Sequence, residues 1–112
     1  RERAHTEAEL PIACVEGWSA SARWRGVPVR DVLELAGAGG SAEAVSVESL
    51  QPTGRYRRSE VEGDQLRDHD TLLALALDGE PLHLDHGYPV RLIGPNRPGV
   101  LQTKWVGRLV VR

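Results

Sequence analysis

One cysteine, no methionine and no phenylalanine occur in 112 residues, and aromatic side chains make up only 4% of the chain. A single thiol excludes an internal disulfide and leaves cysteine usage silent on the redox compartment. No run approaches the ~20 consecutive apolar residues that cross a bilayer as a helix, so no spanning segment is expected within these residues. Charge of one sign is also missing: the formal net charge is -2. A phosphate backbone needs a basic face, so nucleic acid is not expected as a partner, although a local basic pocket is compatible with this balance. The chain opens Arg1-Glu2-Arg3-Ala4-His5 without an initiator methionine. It is therefore read as an excised piece of a longer protein, in which a site built from distant segments would be only partly present.

What is there is enough for one core. With 40% hydrophobic residues, a chain of this length buries roughly two thirds of the surface that it exposes unfolded. A single domain over 1–112 is expected, because Gly37-Ala38-Gly39-Gly40-Ser41 joins segments too short to form separate cores.

Leu10, Ile12 and Cys14 fall at alternate positions, the period of a half-buried strand over 10–15. Val29, Val32, Leu33 and Ala36 have helical spacing, with Pro28 in the first turn and Gly37 past the end. Val45, Val47 and Ser49 alternate again, and Pro52 to Gly54 closes that strand. Ser59-Glu60-Val61-Glu62 fits a capping box and predicts a short helical turn. Leu72-Leu73-Ala74-Leu75-Ala76-Leu77 is apolar on every side. Its shortness and the Asp78-Gly79 turn signal predict a strand and hairpin, with a return strand over 82–84. Gly87-Tyr88-Pro89 then turns the chain into a strand over 90–93, and a last strand covers 109–111. Without strand-helix-strand alternation the fold class is α+β, with a mixed, mainly antiparallel sheet and one or two short helices.

Cys14, in Pro11-Ile12-Ala13-Cys14-Val15-Glu16-Gly17-Trp18-Ser19, has two readings on its own. A thiol on a strand face is a small buried hydrophobe, or its thiolate is a soft ligand for a transition metal. Trp18, Trp24 and Trp105 read most simply as core or pocket walls. His83, Asp85 and His86 lack the fourth ligand and helical frame of a zinc site. No Gly-x-Ser-x-Gly elbow supports a hydrolase. Arg55-Tyr56-Arg57-Arg58 reads as a solvated basic edge.

Five segments follow one another in order: Cys14-Val15-Glu16-Gly17-Trp18-Ser19, Trp24-Arg25-Gly26-Val27-Pro28, Asp78-Gly79-Glu80-Pro81-Leu82, Asp85-His86-Gly87-Tyr88-Pro89-Val90-Arg91 and Lys104-Trp105-Val106-Gly107. Together they resemble the molybdopterin-binding domain of sulfite-oxidase-type oxidoreductases, of which 1–112 would be the C-terminal part. The resemblance implies a molybdenum-molybdopterin cofactor with Cys14 as the metal's thiolate ligand. It also implies that His86, Arg91 and Lys104 surround the pyranopterin and its phosphate, with further contacts from Ser49, Gln102 and Thr103. A fixed anion suits a guanidinium fork, an ammonium and an imidazole.

The implied reaction is oxygen-atom transfer on a small oxyanion or sulfoxide-type substrate, with a haem or cytochrome electron partner. Sulfite-oxidising members place an arginine a few residues after the cysteine, where this chain reads Trp18-Ser19-Ala20-Ser21-Ala22. Trp-Ser at that point is closer to members of the bacterial envelope that reduce oxidised sulfur compounds. The rival from another class is a non-catalytic scaffold or interaction module of the same fold.

Overall fold

A computed structural model describes residues 6–13, 19–95, 97 and 101–112, with the backbone alone over 11–13 and 19–21. Two antiparallel sheets and two short helices carry the chain. The first sheet contains β1 (Thr6–Ala13), β2 (Ser19–Pro28), β5 (Leu72–Leu77), β6 (Glu80–Pro81) and β7 (Arg91–Ile93). The second is β4 (Arg58–Glu62), β3 (Ala44–Ser49) and β8 (Val106–Val111), in that spatial order. The helices are α1 (Val29–Leu35) and α2 (Asp64–Arg67).

β5 organises the first sheet. One edge pairs with β2, from Trp24 opposite Leu77 to Pro28 opposite Leu72. The other edge is divided: Leu72, Leu73 and Ala74 pair with Ile93, Leu92 and Arg91, while Ala76 and Leu77 pair with Pro81 and Glu80. The register between β2 and β5 shifts at Gly26. A Cβ added there would collide with the Leu73 carbonyl oxygen and stand 2.7 Å from the Ala74 Cα, so only glycine lets these backbones approach.

Period-2 side chains then sort into two cores. Ala8, Leu10, Ala22, Trp24, Leu72, Ala74, Leu82 and Ile93 form one. Val29 and Leu33 of α1, Leu66 of α2, Val45, Val47 and Val61 of the second sheet, and Leu92 of the first form the other. On β7 the alternation sends Leu92 into the second core and leaves Arg91 and Ile93 facing the first.

The α+β class, the helix behind Pro28 and the strand and hairpin at Leu72–Leu77 agree with the sequence reading. Three elements differ. Ser59-Glu60-Val61-Glu62 is strand β4, not a helical turn: Ser59 and Val61 alternate inward, and pairing with β3 supplies the backbone partners a cap would have offered. The return strand is Glu80–Pro81, and 82–84 is not a strand, because Leu84–His86 winds into a 3-10 turn closed by Gly87 at φ 111°. β2 was not expected. Its signal is Ala22 and Trp24 buried between exposed Arg23 and Arg25. No helix among the described residues is long and apolar enough to cross a membrane.

Candidate functional site

The loop between β6 and β7 lies against the segment that leads into β8, and backbone bonds fix the two together. Leu92 N–H donates to the Thr103 carbonyl at 2.8 Å, Val106 N–H to Val90 at 2.8 Å and Trp105 N–H to Gly87 at 3.3 Å. Side chains complete the seam. The indole N–H of Trp105 donates to the Leu84 carbonyl at 2.8 Å, and Lys104 Nζ donates to the Asp85 carbonyl at 2.8 Å. Trp105 itself lies in the left-handed region at φ 54°, a conformation that these bonds on either side hold in place.

Two basic side chains, Arg91 and Lys104, meet at this seam beside the 3-10 turn that carries His86. Arg91 leaves β7 beneath the 3-10 turn, with its Nη1 donating to the His86 carbonyl at 3.3 Å. Gly87 makes the approach possible: an added Cβ would stand 2.9 Å from the Arg91 Cβ and 3.2 Å from the Cβ and Cγ of Lys104. Lys104 folds back over its neighbour, with Nζ 5.6 Å from the centre of the Trp105 ring. The Arg91 guanidinium lies 5.2 Å above the ring of Trp24, which is fully buried.

This cluster is electrostatically incomplete. Among the described residues no carboxylate lies within ion-pair distance of Arg91 or Lys104. Arg91 is only 8% exposed, yet its Nε has no hydrogen-bond partner among the described residues. Such a buried donor is costly unless something accepts from it.

The titrations follow from the same crowding. Burial comes first in lowering the affinity of His86 for its proton, followed by Arg91, Lys104 and His83, against a small opposing effect of Asp85. Burial and then Arg91 lower Lys104 from its ordinary value, and burial lowers Arg91. Cations that repel one another and whose hydrogen-bond partners among the described residues are carbonyls suit a fixed anion, above all a phosphate.

Ser49, Gln102 and Thr103 are placed differently. The Ser49 hydroxyl accepts from Gln51 N–H at 3.0 Å, and Gln102 Nε2 donates to the Arg97 carbonyl at 2.9 Å. Thr103 and Ser59 share a buried hydroxyl bond of 2.7 Å. Their side chains are thus engaged within the protein, while Thr103 also offers its carbonyl to β7. Cys14 and Trp18 lie outside the described residues. The residue that sequence reasoning left among the walls is Trp24; its position in the Trp24-Arg25-Gly26-Val27-Pro28 segment was visible, but its pairing with Arg91 was not.

A model of the oxidoreductase molybdopterin binding domain family matches residues 2–112. The chain is 41% identical over 98 residues to a nitrate reductase [NAD(P)H] of Hordeum vulgare, a match covering 79% of the chain and 11% of that protein. It is 37% identical over 101 residues to the mitochondrial sulfite oxidase of Mus musculus, covering 85% of the chain and 18% of that protein. The chain therefore spans less than a fifth of the length of these curated relatives. The fold is similar to that of the sulfane dehydrogenase SoxCD from Paracoccus pantotrophus, at a TM-score of 0.84 and 23% identity, over 98% of this chain and 32% of that one.

Proposed function

Because the chain belongs to the oxidoreductase molybdopterin-binding domain family, we propose that it is the part of a molybdenum-dependent oxidoreductase that clamps the anionic end of the cofactor and supplies its protein thiolate. The observation that carries this reading is that Arg91 and Lys104 pack together against Gly87 beside the turn that carries His86, with no carboxylate partner and with the buried Nε of Arg91 unbonded among the described residues. A phosphate-bearing cofactor is the group that these donors fit.

In this reading Arg91 binds with its fork, from a strand that cannot shift without breaking its pairing to β5. Lys104, whose stem packs with that of Arg91 against the same face of Gly87, adds a second charge. Burial and the neighbouring cations lower the proton affinity of His86, and a bound anion acts against that shift. Ser49, Gln102 and Thr103 shape the wall around these donors, with their side chains bonded within the protein. Cys14 supplies the thiolate, a soft donor suited to a soft-ligated metal. When bound, the molybdenum centre supplies two-electron oxygen-atom transfer, with electrons exchanged singly with a haem or cytochrome partner. The names nitrate reductase and sulfite oxidase among its relatives favour a small oxyanion as substrate.

The test is metal analysis of the full-length protein that contains this chain, purified from a host that makes molybdopterin. Equimolar molybdenum is expected in the wild type, and its loss is expected in Cys14→Ala. Molybdenum retained in full by Cys14→Ala removes the ligand role. A well-folded wild type that carries neither metal nor pterin is the interaction module instead.

A further inference from the structure

We propose that Trp24 is a positioning residue of the cationic clamp, its buried indole face fixing the plane in which Arg91 presents its guanidinium to the bound anion. This rests on the reading of His86, Arg91 and Lys104 as an anion site, and goes beyond it by giving one named side chain outside the clamp control of its geometry.

Alternation along β7 places the stem of Arg91 on the face of the first core beside Ile93, where a guanidinium is desolvated. Its Nη1 bond to the His86 carbonyl is long at 3.3 Å, and its Nε has no partner among the described residues. One hydrogen bond leaves a planar group free to turn about its terminal torsions. The Trp24 ring, 5.2 Å from the guanidinium carbon, removes that freedom from below. Tryptophan has the strongest face for a cation, phenylalanine a weaker one and leucine none.

Trp24 is itself immovable. It is completely buried, and its backbone is paired on both sides, to Ala8 of β1 and Leu77 of β5. Its indole Nε1 is also without a partner among the described residues. An indole whose N–H forms no bond there contributes its ring rather than its polar edge, and that ring lies under the one arginine of the clamp.

A core residue that merely fills space would serve equally as leucine. The two roles separate in a double-mutant cycle on the affinity of the full chain for inorganic phosphate, with Trp24→Leu and Trp24→Phe each made in wild-type and Arg91→Gln backgrounds. Trp24→Leu is expected to weaken phosphate binding about tenfold and Trp24→Phe by about threefold or less. Neither should have further effect in Arg91→Gln. Equal losses in the two Trp24 variants, or the same loss with and without Arg91, would overturn the proposal. Arg91→Gln that binds phosphate like the wild type overturns the anion-site reading first, and the proposal with it.

A spectroscopic signature covers the case in which Trp24→Leu does not fold. The indole N–H resonance of Trp24, assigned by its absence in Trp24→Phe, should move on addition of phosphate to the wild type and stay in place in Arg91→Gln. A resonance that stays in place in the wild type, or moves alike in both proteins, contradicts the proposal.

Discussion

Gly87 and Arg91 are packed so closely that a Cβ on the glycine would stand 2.9 Å from the Cβ of the arginine. The glycine also lies at φ 111°, where a side chain is strained. Gly87→Ala is therefore expected to lose about 1–3 kcal/mol of stability and to displace Arg91 and Lys104 together. Chemical denaturation measures the first effect. The second appears as pterin content below wild type in protein that is still folded.

His86 provides a pH signature. Burial and the neighbouring cations hold its proton affinity below the ordinary imidazole value of 6.5. With the folded value the lower one, protonation favours the unfolded chain, so this group takes stability away as pH falls below 6.5. A bound anion opposes this shift, because it favours the imidazolium and raises the folded value. Sulfate, which does not itself titrate in this range, should bind more tightly as pH falls through the window around and below 6.5, and His86→Gln should flatten that dependence. NMR titration of the ring with and without sulfate checks it; an unmoved midpoint would remove His86 from the clamp.

Thr103 behaves as a structural residue through its hydroxyl. Its 2.7 Å bond to Ser59 is buried, and Thr103→Val leaves the Ser59 oxygen without that partner. The expected cost is about 1–3 kcal/mol, read as a lowered denaturation midpoint. Pterin content of the folded fraction should be unchanged. A fall in pterin content without loss of stability would instead place the hydroxyl on the cofactor.

Much of the fold was legible where one period dominates. Val29, Leu33 and Gly37 gave α1, and the apolar run Leu72–Leu77 with its Asp78-Gly79 turn gave β5 and its hairpin. Ser59 to Glu62 misled because a capping box is a local signal, and pairing of Ser59 with Val47 and Val61 with Val45 outweighed it. β2 was missed because Ser19 to Ala22 offers only small residues, so the alternation begins at Ala22 and Trp24. At the site, the donor types and their order were visible in the segments containing His86, Arg91 and Lys104. Their mutual geometry was not, since it depends on contacts between distant residues: Lys104 with Asp85, Trp105 with Leu84, and Arg91 with Trp24.

Lys104 tests the electrostatic part of the clamp by itself. Its ammonium faces a guanidinium and has a carbonyl as partner, so replacing it by methionine removes charge without opening a large gap. Lys104→Met should weaken sulfate binding and reduce its dependence on ionic strength, and loss of the bond to the Asp85 carbonyl should cost about 0.5–1.5 kcal/mol of unfolding free energy. Isothermal titration at two salt concentrations reads both quantities.

The most direct measurement is the pterin content of Arg91→Gln, released oxidatively from protein purified out of a molybdopterin-competent host and compared with wild type at matched folding. The clamp requires the guanidinium fork, so Arg91→Gln should retain little pterin while the wild type carries an equimolar amount. An Arg91→Gln protein with full wild-type pterin content would contradict the assignment of this cluster as the site that holds the cofactor.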